Sequence, residues 1–187
     1  MSRSTIIGEA TITVTATPED VFDLVLDLDR YRLADHKIGR VLHVQRNGNA
    51  GTVRFAGRLR GLPGPVGTYP FTLTEDRLVV GAPVAGLARW LVDFEASFAC
   101  TATEVGTTVI HREAFTFKRP LRWIANPLLR RWLEDDTRAE MTRMKEMLEH
   151  GRVTGARAPE GAVPADAIRA ASEFAAVRPD ASVPWTR

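Results

Sequence analysis

The sequence predicts an α+β fold: an antiparallel sheet of seven strands followed by one long C-terminal helix, with two short helices after the first strand. Three observations lead there. Segments at 5–16, 51–60 and 107–118 alternate apolar and polar residues in the two-residue period of a half-buried strand. The links between later strands are short and turn-rich, which requires antiparallel neighbours. A single helical spacing of apolar residues then runs through 121–149.

In residues 5–16, Ile6, Ala10, Ile12, Val14 and Ala16 share one face, and Glu9, Thr11, Thr13 and Thr15 the other. Thr17-Pro18-Glu19-Asp20 then starts a helix: a capping hydroxyl, a proline suited to the first turn, and two acids at the positive end of the dipole. Val21, Phe22, Leu24, Val25 and Leu28 follow at helical spacing, and Asp29-Arg30-Tyr31 opens a second short helix ending near His36. A strand over 38–46 stops at the turn Asn47-Gly48-Asn49.

Residues 51–60 place Val53, Phe55 and Leu59 on one face and Arg54, Arg58 and Arg60 on the other. Gly61 to Pro65 reads as a loop. Strands are expected over 66–74 and 77–81, while 82–90 gives no clear pattern. Two long strands follow, 91–103 and 107–118. Leu129, Leu133, Thr137, Met141, Met144 and Leu148 form the stripe of the closing helix, Pro127 is expected to break or kink it, and Gly151 to stop it.

Composition bounds the rest. The chain has 187 residues, 44% hydrophobic and 26% charged, enough for a buried core. A net charge of +2 is too balanced to argue for a nucleic-acid partner. No window approaches the ~18 apolar residues of a membrane span, and the start lacks the apolar block of a signal peptide, so a cytoplasmic protein is expected. Cys100 is the single cysteine, which excludes an internal disulfide. Four scattered histidines show no metal-ligand spacing, and no metal or cofactor is expected. No nucleophile-elbow, zincin or phosphate-loop pattern occurs. Residues 1–150 form the predicted domain. Residues 151–187, with ten Ala and four Pro, are expected to be a flexible tail with one short helix at 165–177. Trp185 in that tail is a candidate docking residue. Nothing in the sequence fixes an oligomeric state.

The front segment ATITVTATPEDVFDLVLDLDRYR, the late Gly106-Thr107-Thr108-Val109 hairpin and the closing helix together resemble the START-like superfamily with the helix-grip fold, in its polyketide cyclase/dehydrase branch of small bacterial proteins. The resemblance covers residues 4–150. It implies a curved sheet wrapped around the terminal helix, and a hydrophobic small molecule, lipid or polyketide-like, as ligand. It also admits an aromatase/cyclase or dehydratase.

One helix cannot fill the concavity of a seven-stranded sheet, so a mostly apolar cavity is expected between them. Its candidate lining is Phe55, Tyr69, Phe71, Phe94, Phe98, Phe115 and Phe117 from strands, and Trp132, Met141 and Met144 from the helix. Taken singly, each of these reads more readily as plain core than as cavity lining. In the last strand Val109, His111, Glu113, Phe115 and Phe117 share one face. If that face is inward, His111 and Glu113 enter the interior as a possible acid/base pair, Glu113 favouring the charged imidazole. Contact with water at the open end is the plainer alternative for the pair. Cys100, without a basic partner, reads as a small buried hydrophobe.

Overall fold

The computed structural model describes residues 5–118 and 121–151, with the side chains of 122–126 outside that description. The expected tail helix and Trp185 also lie outside the described residues.

Strand β1 (Ile6–Val14) leads into α1 (Pro18–Leu26) through the Thr17 cap expected from the sequence, which the structure extends to a full capping box with Asp20. Thr17 Oγ1 accepts from the Asp20 amide at 3.2 Å, and the Asp20 carboxylate accepts from the Thr17 amide at 3.0 Å. Helix α2 is a single turn, Leu28–Tyr31, capped by Asp27 rather than opened by Asp29, and it ends well before His36. There follow β2 (Ile38–Asn47), β3 (Ala50–Leu59), β4 (Leu62–Leu73), β5 (Arg77–Val80), the two-residue β6 (Ala85–Gly86), α3 (Ala88–Leu91), β7 (Val92–Thr103) and β8 (Gly106–Phe117). Helix α4 (Arg122–His150) closes the described chain.

The strands form one open antiparallel sheet in the order β1-β8-β7-β5-β4-β3-β2, with β6 attached to β4. It is the α+β helix-grip arrangement expected from the sequence. Three local expectations are corrected. Gly61–Pro65 is not a loop: Arg60 (φ 52°) and Gly61 (φ 81°) make a two-residue turn, and the chain pairs again at once, Leu59 with Leu62. The uninterpreted 82–90 segment holds β6 and most of α3. Helix α4 runs through Pro127 without a break in assignment. Pro127 is its sixth residue, past the four leading amides that have no intrahelical partner, so the helix forgoes one hydrogen bond there.

The alternation of β1 and β8 faces one side of each strand inward: Ile6, Val14, Val109 and Phe117 are buried, while Glu9, Thr11, Ile110 and Arg112 are exposed. Full burial of each large apolar side chain contributes about 1.5–3 kcal/mol. On α4 the buried stripe is Leu133, Thr137, Glu140, Met141, Met144 and Met147. The helix comes down onto β1 at Gly8, where a β-carbon would collide with Thr137 Oγ1 and press on Leu133. That close approach brings the middle of α4 over β8 and sets the site. Gly151, at φ 64°, ends the helix, its amide donating to Met147 O at 3.1 Å.

Candidate functional site

Lys37, in the turn before β2, points its ammonium into the interior and is 6% exposed. Four carboxylates surround Nζ: Glu140 Oε2 at 2.6 Å, Asp136 Oδ2 at 2.8 Å, Asp35 Oδ1 at 3.0 Å and Glu113 Oε2 at 3.3 Å. Each comes from a different part of the grip: Asp35 from the turn after α2, Glu113 from β8, Asp136 and Glu140 from successive turns of α4. Tyr31 donates its hydroxyl hydrogen to Glu140 Oε1. Thr137 Oγ1 donates to Leu133 O at 2.8 Å and lies 3.4 Å from Glu113 Oε2.

His111 stands behind this cluster. Nδ1 is 3.1 Å from Ser97 O, and the ring stacks on Phe98 at a centroid distance of 3.9 Å. Nε2 is 3.3 Å from Glu140 Oε1 and 3.5 Å from Glu113 Oε1, but makes a hydrogen bond to neither.

The electrostatics follow from burial against charge. Burial alone would strip the proton from His111, but the Glu140 and Glu113 carboxylates outweigh it and push the imidazole up to about 10. Lys37 is likewise opposed by burial and held charged, its pKa raised by Asp35, Glu113, Glu140 and Asp136. Burial works against the Glu140 carboxylate too, yet Lys37 and His111 pull it far below the usual range. For Asp35 burial wins: together with the charge of Glu140 it outweighs Lys37 and raises the carboxyl to about 7. Burial, then Glu140, raises the Tyr31 phenol.

Beside the cluster lies a cavity of about 60 Å³, within about 530 Å³ of free space once its open mouth is included. Phe55, Tyr69, Phe94, Phe115 and Phe117 line it as successive ring contacts: Phe55 stacks on Tyr69 at 4.7 Å, Tyr69 meets Phe94 edge-on at 5.7 Å, and Phe94 meets Phe115 at 4.8 Å. Its polar wall is Asp35, Lys37 and Glu113, with Arg58 at the rim. Burial pushes the Tyr69 phenol up to about 12.

The structure therefore brings together Phe55, Tyr69, Phe94, Phe115 and Glu113 on one cavity. His111 shares the inward face with Glu113 but sits deeper, off the cavity wall. Phe98 is its stacking partner. Phe71, Met141 and Met144 are core residues, and Trp132 packs half-buried against the core. Lys37, Asp35, Asp136 and Glu140 were not singled out in the sequence. Glu140 carried a signal: it lies three residues after Thr137 and four before Met144, a charge at a stripe position. Lys37 and Asp35 precede a strand in a turn, where no periodicity marks burial. A wider groove of about 510 Å³ near Asp20, Asp23 and Asp27 is polar; Asp20 and Asp27 are spent there on helix capping.

Comparison with known proteins agrees with this architecture. No curated protein matches the chain. Among solved structures, TTHA0849 from Thermus thermophilus superposes with a TM-score of 0.62 at 15% identity, over 76% of this chain and 96% of that one. The Zhui aromatase/cyclase from a Streptomyces species gives 0.60 at 12% identity, over 81% and 100%. A START superfamily protein from Mycobacterium smegmatis gives 0.60 at 14% identity, over 79% and 99%. At these identities the likeness is one of fold. The family model described as polyketide cyclase / dehydrase and lipid transport matches residues 5–149, and the chain belongs to that family.

Proposed function

We propose that the cavity binds a hydrophobic small molecule, lipid or polyketide-like, and that Lys37, Asp35 and Glu113 meet a polar group on it. The observation that carries this reading is the pairing of an aromatic wall with one buried cation and two carboxyl groups on the same cavity. The rings offer apolar area, at about 25 cal/mol per Å² before ordering costs. Lys37 donates to a carbonyl or hydroxyl oxygen, and Asp35 or Glu113 accepts from a hydroxyl. A cavity of about 60 Å³ is smaller than most ligand sites. Binding of a larger guest therefore widens it, and Leu59, Gly64 and Pro65 of the β3–β4 hairpin are part of the wall that has to give. Native mass spectrometry of the gently purified chain tests the reading. A retained apolar adduct supports it; a bare chain that also takes up no added aromatic or aliphatic alcohol counts against it.

A second reading is enzymatic, a polyketide cyclase/aromatase or dehydratase. It is favoured by Glu113, which reaches both the cavity and the Lys37 ammonium at 3.3 Å. In it, Glu113 removes a proton from a carbon beside a ligand carbonyl, and Lys37 stabilises the oxygen on which negative charge develops. His111, with Nε2 at 3.5 Å from Glu113 Oε1, then acts on that base through its charge and not through a hydrogen bond. Turnover of a poly-β-ketone that is lost in a folded Glu113→Gln variant supports this reading.

A further inference from the structure

We propose that His111, Glu113 and Glu140 form a binding site for a divalent transition-metal ion such as Zn²⁺. The three groups are buried to 2% exposure or less. His111 Nε2 is an orphaned polar atom facing Glu140 Oε1 at 3.3 Å and Glu113 Oε1 at 3.5 Å. These separations are long for hydrogen bonds, yet they suit two ligand atoms sharing an ion. Ligands about 2.0–2.2 Å from a tetrahedral zinc lie roughly 3.4 Å apart.

The surroundings of each ligand are those of an outer metal shell. The other imidazole nitrogen of His111 faces a backbone carbonyl, Ser97 O, at 3.1 Å. The second oxygen of Glu140 is held by Lys37 at 2.6 Å, and that of Glu113 by Lys37 at 3.3 Å and Thr137 at 3.4 Å. Such partners fix ring orientation and carboxylate rotation; His111 Nε2 and Glu113 Oε1 are left free for the ion, and Glu140 Oε1 ligates while still accepting from the Tyr31 hydroxyl. One imidazole nitrogen with carboxylate oxygens suits zinc and its first-row neighbours better than calcium or magnesium.

Charge points the same way. Asp35, Glu113, Asp136 and Glu140 supply up to four negative charges against the one fixed positive charge of Lys37. With His111 protonated the excess is at most two, and a divalent ion that takes the place of the imidazolium proton adds one net positive charge to the cluster. Histidines scattered along the sequence gave no ligand spacing because the one helix-borne ligand, Glu140, is 29 residues from His111 in the chain and reaches it only through the fold. The proposal does not depend on what the neighbouring cavity holds.

Chelator-stripped full-length chain is titrated with ZnCl₂ by calorimetry and with CoCl₂ by visible absorption. The expected result is saturation at one ion per chain, with affinity weakened at least about 100-fold in His111→Gln and in Glu113→Gln, beyond what outer-shell changes cost. No uptake, or affinity within about threefold of the parent in both variants, overturns the proposal. If either variant fails the circular-dichroism test of folding, the parent decides. Co²⁺ must broaden the His111 imidazole resonances first, and broadening centred on His36, His43 or His150 overturns the site.

Discussion

Lys37 Nζ and Glu140 Oε2, 103 residues apart in sequence, meet at 2.6 Å with both side chains buried. The contact ties the turn before β2 to the centre of α4, so it joins one edge of the sheet to the helix that the sheet grips.

Removing that cation leaves Glu140, Asp136 and Glu113 facing one another in the interior. Lys37→Met is expected to lower folding stability by about 3–5 kcal/mol, the cost of stranding a buried charge. Urea denaturation at pH 7 checks it. A loss below about 1 kcal/mol contradicts the assigned role.

Gly8 is where the helix touches the sheet. Gly8→Ala forces a β-carbon onto Thr137 and Leu133 and is expected to cost about 1–3 kcal/mol. Gly57→Ala, whose nearest new neighbour is Pro65 O at 3.8 Å, is the matched control and should change the melting temperature little. Equal effects of the two would show that the close approach is not as described.

The Tyr69 phenol is raised by burial to about 12. An acid whose folded pKa lies above its unfolded value of about 10 keeps its proton longer when folded. Its contribution is therefore fully present below pH 10 and is lost as pH rises toward 12. Tyr69→Phe should flatten that alkaline fall in stability, measured by denaturation between pH 9 and pH 12. An unchanged slope would place the hydroxyl in water.

Burial first, then the charge of Asp76, raises the Cys100 thiol to about 12. At pH 8 the folded chain should resist iodoacetamide, and it should react on addition of denaturant. Rapid alkylation of the native protein would contradict the burial of β7.

The order of elements was legible because strand and helix periods are local. The helix start at Thr17-Pro18, the alternation through β8 and the stripe on α4 each follow from local residue type and spacing alone. Gly61–Pro65 misled because two prolines and two glycines resemble a loop, whereas the turn needs only Arg60 and Gly61. The inward face of Glu113 was also readable, and with it the aromatic rings of Phe55, Tyr69, Phe94 and Phe115. The cluster around Lys37 was not. Its members come from a turn, a strand and a helix, and only the closure of α4 over Gly8 brings them together. The depth of His111 was hidden for the same reason: alternation gives the face of a strand, not how far the covering helix reaches along it.

The central claim is that the aromatic cavity beside Lys37 takes an apolar guest with a polar group. Titration of the full chain with 2-naphthol, followed by calorimetry and by ¹H–¹⁵N shifts, tests it most directly. The account predicts one saturable site, with Kd on the order of 100 µM from about 0.5 kcal/mol per ligand heavy atom. The largest shifts should fall on Lys37, Phe55, Tyr69, Phe94 and Phe115. Absence of saturable binding, or shifts gathered instead at Asp20, Asp23 and Asp27, would contradict it.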